Sequence, residues 1–319
     1  MPYLQTLLGP RNPATLGHSQ IHEHIFIRPT PMAEQNPALC MDDFDRSLTE
    51  LKAYRAAGGD FLADAQPVAA GRDAEVLRAL SEGSGVSIAA VTGYHLLGFY
   101  PADCWILALD EDELYQLYRD ELGEGMLPWS GDPTRRPTAP TEIRAGFVKA
   151  AIPEHGPAGR YAVLLRAAAR AAADAGVPLM LHTERGERAL EAIALCNELG
   201  VPPHRLVICH ADRQAADTAP HEAIAQTGAY LDYDTIARPK YHSDEEEVAL
   251  ILHMLAKGHA PRLLLALDTT AARLTSYGGE IGLCHLLEQF LPRLQAAGVT
   301  QADISRMTIG NCRQLFSQA

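Results

Sequence analysis

The 319-residue sequence lacks the marks of several large classes of protein. It contains no run of about 18 or more apolar residues, so we expect no membrane span. Its first residues lack the basic segment and apolar segment of a secretory signal. Basic residues are the minority, 27 against 40 acidic ones, and the net charge of −13 argues against nucleic acid or an anionic membrane as partner.

Paired cysteines are absent as well. The six cysteines are scattered along the chain and form no Cys-x-x-Cys motif. In a chain of this length, such a distribution is typical of reduced thiols rather than of a disulfide framework. We therefore expect a cytoplasmic protein. The sequence also has no internal repeat and no low-complexity tract, which excludes repeat architectures.

Short β-like segments alternate with longer helix-like segments along the chain. The predicted strands are 18–27, 60–66, 87–94, 144–152, 178–183, 205–210, 229–236 and 262–268. They are near-continuous apolar runs, which is typical of strands buried on both faces of a parallel sheet. Eight strand–helix units favour one closed (β/α)₈ barrel, a TIM barrel, over residues 1–319.

The helices predicted between the strands are 42–57, 73–83, 107–122, 158–175, 187–199, 214–226, 243–258 and 280–297. Three parts of the chain lie outside this alternation. They are an N-terminal entry segment at 1–17, a long Gly- and Pro-rich insertion at 123–142 before the fourth strand, and a C-terminal helix at 301–317. We expect that last helix to cover the outside of the barrel.

Polar side chains recur inside or at the ends of the predicted strands, where a barrel of this kind carries its chemistry. These are His22, His24, Lys149, His182, His210 and Asp268. Each alone has a structural explanation: a hydrogen-bonded core histidine, a helix N-cap at the aspartate, or a lysine that reaches solvent. Together, burying them at one end of a barrel would be costly unless they pair or bind metal.

Their distribution predicts a binuclear metal centre, most naturally with zinc. The two histidines of the first strand and Asp268 of the last would hold one ion where the barrel closes, and His182 with His210 would hold the other. Lys149 can bridge two cations only as a carbamate formed with CO₂, because an ammonium would be repelled. A bridging hydroxide would be the nucleophile, and Asp268 would take its proton.

The chain resembles the phosphotriesterase-like branch of the amidohydrolase superfamily, which includes bacterial phosphotriesterase, phosphotriesterase homology proteins and related lactonases. The shared motifs are LGHSQIHEH at 16–24, TGY at 92–94, RAGFVK at 144–149, HT at 182–183, CH at 209–210, DYDTI at 232–236, DT at 268–269, and Asn311.

The resemblance implies a binuclear site, usually with zinc, that contains a carboxylated lysine. It also implies hydrolysis of an ester-like bond and a homodimer. The six residues named above as possible metal ligands fall on the ligand motifs of the family. Some relatives carry the bridge as a glutamate one residue further along, where this chain has Ala150, so Lys149 is the bridge that we expect.

Basic residues follow many of the predicted strands although the protein is acidic: Arg28, Arg72, Arg185, Arg238, Lys240 and Arg273. Any one of them can be a solvated charge or an ion-pair partner. As a set they favour an anionic substrate, because guanidinium groups bind carboxylate or phosphate through two hydrogen bonds. Lys240, Arg273 and Tyr277 could converge on such a group. Tyr94 and His95 offer part of an aromatic pocket, although such residues often only pack.

These observations predict a metal-dependent lactonase that opens a small polar lactone carrying a phosphate or carboxylate group. A phosphotriesterase or other phosphoester hydrolase is the alternative enzyme, and promiscuous organophosphate turnover is compatible with both. A binding protein that has kept the barrel and lost the chemistry is a third hypothesis. The presence of all six metal-site residues argues against it.

Overall fold

The computed structural model describes residues 3–317. Within them, eight parallel strands form one sheet in which each strand pairs with the next along the chain. In order, β1 to β8 are His18–Glu23, Gly59–Asp64, Ser87–Gly93, Phe147–Ala151, Leu179–His182, Leu206–Cys209, Tyr230–Tyr233 and Leu263–Leu265. The Asp268 amide donates a 3.0 Å hydrogen bond to the His22 carbonyl and nearly closes the sheet. The predicted (β/α)₈ barrel is confirmed.

Helices cover the outside of this barrel between consecutive strands. They are Phe44–Ala56, Ala74–Ser84, Glu111–Gly123, Arg160–Ala175, Ala189–Glu198, Ala219–Thr227, Asp244–Ala256 and, after β8, a π-helical turn Leu286–Phe290 continued by Leu291–Ala296. A short helix that we did not predict, Pro31–Gln35, lies on the loop after β1. No helix within residues 3–317 has the length and apolar character needed to cross a membrane.

The strands are buried on both faces, which explains their apolar runs. In β4, Phe147 belongs to the cluster of apolar side chains inside the barrel, whereas Val148 and Ala150 pack against the helices. Lys149 therefore shares the inward face with Phe147, since side chains alternate along a strand. The inner apolar cluster includes Leu264, Phe61 and Val207, and the polar side chains of the predicted site lie above it, at the C-terminal end of the strands.

The lower end of the barrel is closed by segments near both ends of the described chain. The entry segment forms a hairpin, Leu4–Thr6 with Gly9–Arg11, that the sequence did not predict. The C-terminal helical region ends in Asn311–Ser317, and the Phe316 ring meets two inward-facing rings at centroid distances of 5.7 Å and 6.0 Å, those of Phe61 and Phe147. This helix therefore packs under the barrel rather than on its outer wall, which corrects our expectation.

Strands β1 and β8 end earlier than predicted, at Glu23 and Leu265. Beyond these points, buried carboxylates replace the neighbouring strand as hydrogen-bond acceptors. The Ile25 amide donates to Asp64 Oδ2 at 2.9 Å, and the Leu267 amide donates to Glu23 Oε1 at 2.8 Å. An apolar run in the sequence indicates that residues are buried, not that they pair with a neighbouring strand. The apolar runs therefore extend beyond the last residues that pair in the sheet. Site residues that follow these strands are thus held on short, tightly bonded loops.

The Gly- and Pro-rich segment between the helix Glu111–Gly123 and β4 contains no helix or strand. It is joined to itself by backbone bonds, such as the 2.7 Å bond from the Met126 amide to the Ile143 carbonyl. The segment packs beside the buried ion pair of Arg72 and Glu121 and does not line the cavity at the upper end of the barrel.

Candidate active site

A cavity of about 580 Å³ opens at the C-terminal end of the barrel. All of the side chains predicted as metal ligands line it: His22, His24, Lys149, His182, His210 and Asp268. Since they come from five strands or the loops directly after them, the barrel itself brings them together. The structure thus places at one site the residues that the sequence scatters over most of its length.

Three of these residues form a compact group at the point where the barrel closes. Asp268 Oδ1 lies 3.8 Å from His22 Nε2 and 3.5 Å from His24 Nε2. His22 Nε2 is buried and meets no hydrogen-bond partner within residues 3–317. Ligands around a tetrahedral ion with bonds of about 2.0–2.1 Å are roughly 3.4 Å apart. The spacing and the unpartnered nitrogen therefore fit a divalent cation.

His182 and His210 are also oriented so that they could bind a cation. His182 Nδ1 and His210 Nε2 face each other at 2.9 Å. On their far sides, His182 Nε2 is 3.1 Å from Glu184 Oε1, and His210 Nδ1 is 2.6 Å from Asp234 Oδ1. A carboxylate only accepts hydrogen bonds, so each far nitrogen of a neutral ring carries the proton. Two lone pairs then face each other, and a cation between them would remove the repulsion.

Asp234 joins the two halves of the site, a role that the sequence did not reveal. It follows β7 within the DYDTI motif, is fully buried, and accepts from His22 Nδ1 at 2.8 Å as well as from His210 Nδ1. Burial alone would raise the pKa of Asp234, but His210 and His22 outweigh it and hold that pKa well below its usual range. One carboxylate therefore fixes the tautomer of one histidine in each group.

Burial also keeps the histidines in the form that binds metal. It lowers the pKa of His22 to about 4, against the opposing effect of Asp234, and holds the pKa of His210 well below its usual value. The pKa of His182 is lowered chiefly by burial as well. Each ring is therefore neutral near pH 7 and offers a lone pair to a cation.

Lys149 projects into the barrel from β4 and is fully buried. Its Nζ meets no hydrogen-bond partner in the described part of the chain. Gly93 on β3 permits this close packing, because a Cβ atom there would lie 1.9 Å from the Lys149 carbonyl oxygen. Burial lowers the pKa of Lys149, which favours the neutral amine. A neutral amine is the form that reacts with CO₂.

Asp268 is held from one side by arginine. Its backbone lies in the left-handed region, with φ of 48°, three residues beyond β8. Arg238 Nη1 lies 2.9 Å from Asp268 Oδ2, the same guanidinium donates to the Asp268 carbonyl, and Arg213 Nη2 lies 3.7 Å from Oδ2. Burial opposes ionisation, but Arg238 above all holds the pKa of Asp268 well below its usual range. The charge of Arg238 is thus already partnered.

Two other predicted cations line the cavity, and neither has a carboxylate partner in the described part of the chain. Arg273 is buried, and its Nη2 donates to the Ile236 carbonyl at 2.7 Å, whereas Nε and Nη1 meet no acceptor within residues 3–317. Burial and then repulsion from Arg238 lower its pKa to about 10, so it stays charged at neutral pH. Lys240 is exposed at the rim, with Nζ 4.5 Å from the Tyr241 ring centroid.

Of the remaining residues predicted to bind substrate, one lines the cavity and two do not. His95 lines the cavity, stacks on Phe99 at 3.6 Å and lies 5.0 Å from the His182 ring. Tyr94 is buried behind the cavity wall and does not line it. Tyr277 is also outside the lining, because its hydroxyl donates to the Asp43 carbonyl at 2.8 Å.

The other basic residues of the predicted set have structural roles or lie in solvent. Arg28 pairs with Asp73 at 2.9 Å, and Arg72 pairs with buried Glu121. Arg185 is exposed on the loop after β5. The basic set that reaches the cavity is therefore smaller than the sequence suggested, although it includes Arg213, which the sequence pattern did not single out.

This arrangement is that of the metal-dependent hydrolases built on a (β/α)₈ barrel. The sequence model of the Phosphotriesterase family matches residues 2–316, so the chain belongs to this family. Members of the family are metal-dependent hydrolases of the lactonase or phosphotriesterase type, and the buried histidines and aspartate of this chain agree with that.

Individual relatives span nearly the whole chain. A phospho-furanose lactonase of Mycoplasmopsis synoviae is 27% identical, covering 99% of this chain and 92% of the relative. An N-acetyltaurine hydrolase of Tetraodon nigroviridis is 25% identical, covering 98% and 97%. The crystal structure of phosphotriesterase homology protein from Escherichia coli, with phosphate in its active site, superposes with a TM-score of 0.85 at 26% identity, covering 96% and 100%.

Proposed function

We propose that this protein is a metal-dependent lactonase that opens a small lactone carrying a phosphate or carboxylate group. Arg273 carries the proposal. It is a buried guanidinium at the cavity wall, and two of its nitrogens, Nε and Nη1, meet no acceptor within residues 3–317. An uncompensated buried charge is costly, whereas a bound anion would supply the missing acceptors through charge-assisted hydrogen bonds.

Lys240 supports the same assignment from the loop after the neighbouring strand. It follows β7, lines the cavity, and has no ion-pair partner among the described residues, so its ammonium is available. The name of the phospho-furanose lactonase relative specifies a phosphorylated lactone, and the E. coli relative holds phosphate in its active site. Both names support an anionic group in the cavity of this chain.

The ligand set fits two divalent cations, with zinc favoured by the histidine donors. The group of His22, His24 and Asp268 would hold one and the pair of His182 and His210 the other. When bound, such ions supply Lewis-acid polarisation of the substrate carbonyl and lower the pKa of a water molecule.

We further propose that Lys149 is carboxylated. Its neutral amine attacks CO₂, a nitrogen–carbon bond forms, and one proton leaves. The product is a carbamate, whose two oxygens share a negative charge and can accept hydrogen bonds or bind cations. The unmodified amine is buried at the same place and has no hydrogen-bond partner within residues 3–317. The net charge of the site then complements two cations, which an ammonium could not do.

Asp268 is the residue that moves the proton. With Oδ2 held by Arg238, the carboxylate keeps one orientation, and Oδ1 points toward His22 and His24. It can take the proton of the attacking water and return it to the leaving alkoxide oxygen. In a lactone that oxygen stays attached to the product, so it remains within reach of the aspartate.

A phosphotriesterase or other phosphoester hydrolase is the second candidate, because part of the cavity wall is apolar. The apolar side chains are Ile27, Met32, Leu39, Leu96 and Phe99. A neutral ester would bury its substituents against this wall. Arg273 would then remain without a partner in the complex, which is why we rank this function second.

The test is a substrate panel on zinc-loaded, full-length protein. It contains a phosphorylated furanose lactone, the same lactone without phosphate, a neutral phosphotriester, and N-acetyltaurine for the amide activity of one relative. We expect kcat/KM for the phosphorylated lactone to exceed that for the neutral lactone by about 10- to 150-fold, the value of one to two charge-assisted hydrogen bonds.

Other outcomes are equally informative. Fastest turnover of the neutral triester would replace the first assignment with the second, and fastest turnover of N-acetyltaurine would contradict both. Protein that binds metal but hydrolyses nothing in the panel would support a binding role. Chelator-treated protein, assayed in parallel, controls for metal-independent hydrolysis.

A further inference from the structure

A second group of buried metal-type ligands lies behind the cavity wall. Asp212 follows β6, His242 ends the loop after β7, and Glu247 lies near the start of the helix Asp244–Ala256. The exposed fractions of the three residues are 0%, 6% and 0%. One ligand atom from each lies within 4.8 Å of the others. None of them lines the cavity, so this group is separate from the site described above.

The orientation of the imidazole shows which atom faces the group. His242 Nδ1 is 3.1 Å from the Ser243 carbonyl oxygen, which can only accept, so Nδ1 carries a proton. Nε2, on the other side of the ring, lies 3.2 Å from Glu247 Oε2 and 4.0 Å from Asp212 Oδ2. One imidazole nitrogen and two carboxylate oxygens, all of them possible metal ligands, therefore face one another in a buried place.

The carboxylates are also short of hydrogen-bond donors. Within residues 3–317, three carboxylate oxygens accept no hydrogen bond. They are both oxygens of Glu247 and Oδ1 of Asp212. Among the described residues, Asp212 Oδ2 accepts from the Thr235 amide, at 2.6 Å. Burial above all raises the pKa of Glu247 above its usual value. Such buried, unpartnered groups are rare.

We propose that Asp212, His242 and Glu247 bind a divalent transition-metal ion, zinc or manganese, at a structural site separate from the catalytic one. One imidazole and two carboxylates suit these ions, whereas calcium and magnesium prefer oxygen ligands alone. The separations from Nε2, 3.2 Å and 4.0 Å, bracket the roughly 3.4 Å expected around a tetrahedral ion. Thr235 Oγ1, 3.0 Å from Nε2, adds a neutral oxygen nearby.

The competing arrangement contains no metal. The Thr235 hydroxyl would donate to His242 Nε2, and protons on Asp212 and Glu247 would remove the repulsion between them. An opposite charge is offered by Arg213, which interacts with Asp212 but is hydrogen-bonded to Glu184 on the cavity side. The two arrangements differ by one bound ion, so metal content separates them.

A metal ion at this site would restrain the loop that places two basic side chains at the cavity. The loop between β7 and the helix Asp244–Ala256 carries Arg238 and Lys240 and ends near His242. Glu247 lies in the first turn of that helix, and Asp212 lies on the segment after β6. Joining the far end of the loop to the segment after β6 restricts its movement. Loss of the ion should therefore loosen substrate binding more than it slows the chemical step.

The experiment compares Glu247→Gln with wild type and with Glu245→Gln. Glu245 lies on the same helix with 77% of its side chain exposed, so it is a matched control. Purified full-length proteins are saturated with zinc, freed of excess, and analysed for metal per chain. We expect wild type and the control to hold about one equivalent more than Glu247→Gln. Equal metal content in all three would overturn the proposal.

Two further measurements guard against misfolding of the variant. Anomalous diffraction at the zinc edge of zinc-loaded wild type should show a peak within bonding distance of His242 Nε2, and its absence would overturn the proposal. Adding zinc to chelator-treated protein should raise the Tm of wild type more than that of His242→Gln or Glu247→Gln. Because these readouts do not use activity, failure of the lactonase assignment would leave them intact.

Discussion

The segments that follow β7 and β8 each bring an arginine to the same cavity, yet the two side chains have opposite surroundings. Arg238 is paired with Asp268, at 2.9 Å from its carboxylate. Arg273 has no carboxylate partner within residues 3–317 and leaves two of its nitrogens without acceptors. The same residue type therefore has two roles. Arg238 positions the proton-transfer group, and Arg273 is available to an anion that arrives with the substrate.

The difference is electrostatic as well as geometric. Arg238 holds the pKa of Asp268 well below its usual range, so the positive charge of Arg238 stabilises that carboxylate in its ionised form. Burial and Arg238 itself lower the pKa of Arg273 to about 10, the mark of a cation that lacks compensation. Removing the first arginine should alter catalysis for every substrate. Removing the second should alter binding for anionic substrates alone.

The largest expected effect is that of Asp268→Asn, which removes the partner of Arg238 and the proton acceptor together. We expect kcat to fall by about 10²- to 10⁴-fold for anionic and neutral lactones alike, the usual contribution of general base catalysis. Steady-state kinetics with metal analysis checks this. Asp112→Asn, an exposed aspartate, is the control. Near-normal kcat with full metal content would contradict the role of Asp268.

Next in size is Arg273→Met, which keeps the volume and removes the charge. We expect kcat/KM for the phosphorylated lactone to fall by about 10- to 150-fold, with the neutral lactone almost unchanged. The unliganded variant should unfold at a Tm no lower than wild type, because an unpaired buried charge is replaced by an apolar group. Arg185→Met, on an exposed loop, is the control. Equal losses for both lactones would remove the anion-binding role.

A smaller and different effect is expected for Arg238→Met. Arg238 favours the ionised form of Asp268, so its loss raises the pKa of that carboxyl group. Since the base must be ionised to accept a proton, the acid limb of the kcat profile should move to higher pH for both lactones alike, with the smallest change in kcat on the plateau above it. A change in KM confined to the anionic lactone would instead make Arg238 a substrate ligand.

The smallest effect is expected for Lys240→Ala. This lysine is exposed at the rim, where solvent and salt screen its charge. We expect a rise in KM for the phosphorylated lactone of about 2- to 5-fold at low ionic strength that fades as salt is added. Lys257→Ala, on a distant helix end, should change nothing. An effect that persists at high salt would show a direct, desolvated contact.

The sequence predicted the barrel because burial on both strand faces leaves an apolar run, and each run lies between helix signals. It also predicted which six polar residues meet in one cavity, since residues at the C-terminal ends of barrel strands share one rim. Strand ends were harder to predict. Ile25 and Leu267 look like strand residues, but their amides are bonded to the carboxylates of Asp64 and Glu23.

Pairing between side chains was the part that the sequence could not supply. Arg238 and Asp268 are 30 positions apart, and only the path of two loops brings them together. The same holds for Asp234, whose bonds to two histidines are invisible in the DYDTI motif, and for Tyr277, whose hydroxyl is bonded to the Asp43 carbonyl instead of facing the cavity. Patterns report burial and chain direction, whereas partners depend on loop geometry.

The contrast between the two arginines is tested most directly by a crystal structure of the zinc-loaded enzyme with a phosphorylated hydroxy acid, the ring-opened form of the proposed substrate. The account predicts phosphate oxygens within hydrogen-bond distance of Arg273 Nε and Nη1, while Arg238 remains on Asp268. A phosphate bound away from Arg273, with that guanidinium still unpartnered or paired with a protein carboxylate, would contradict it.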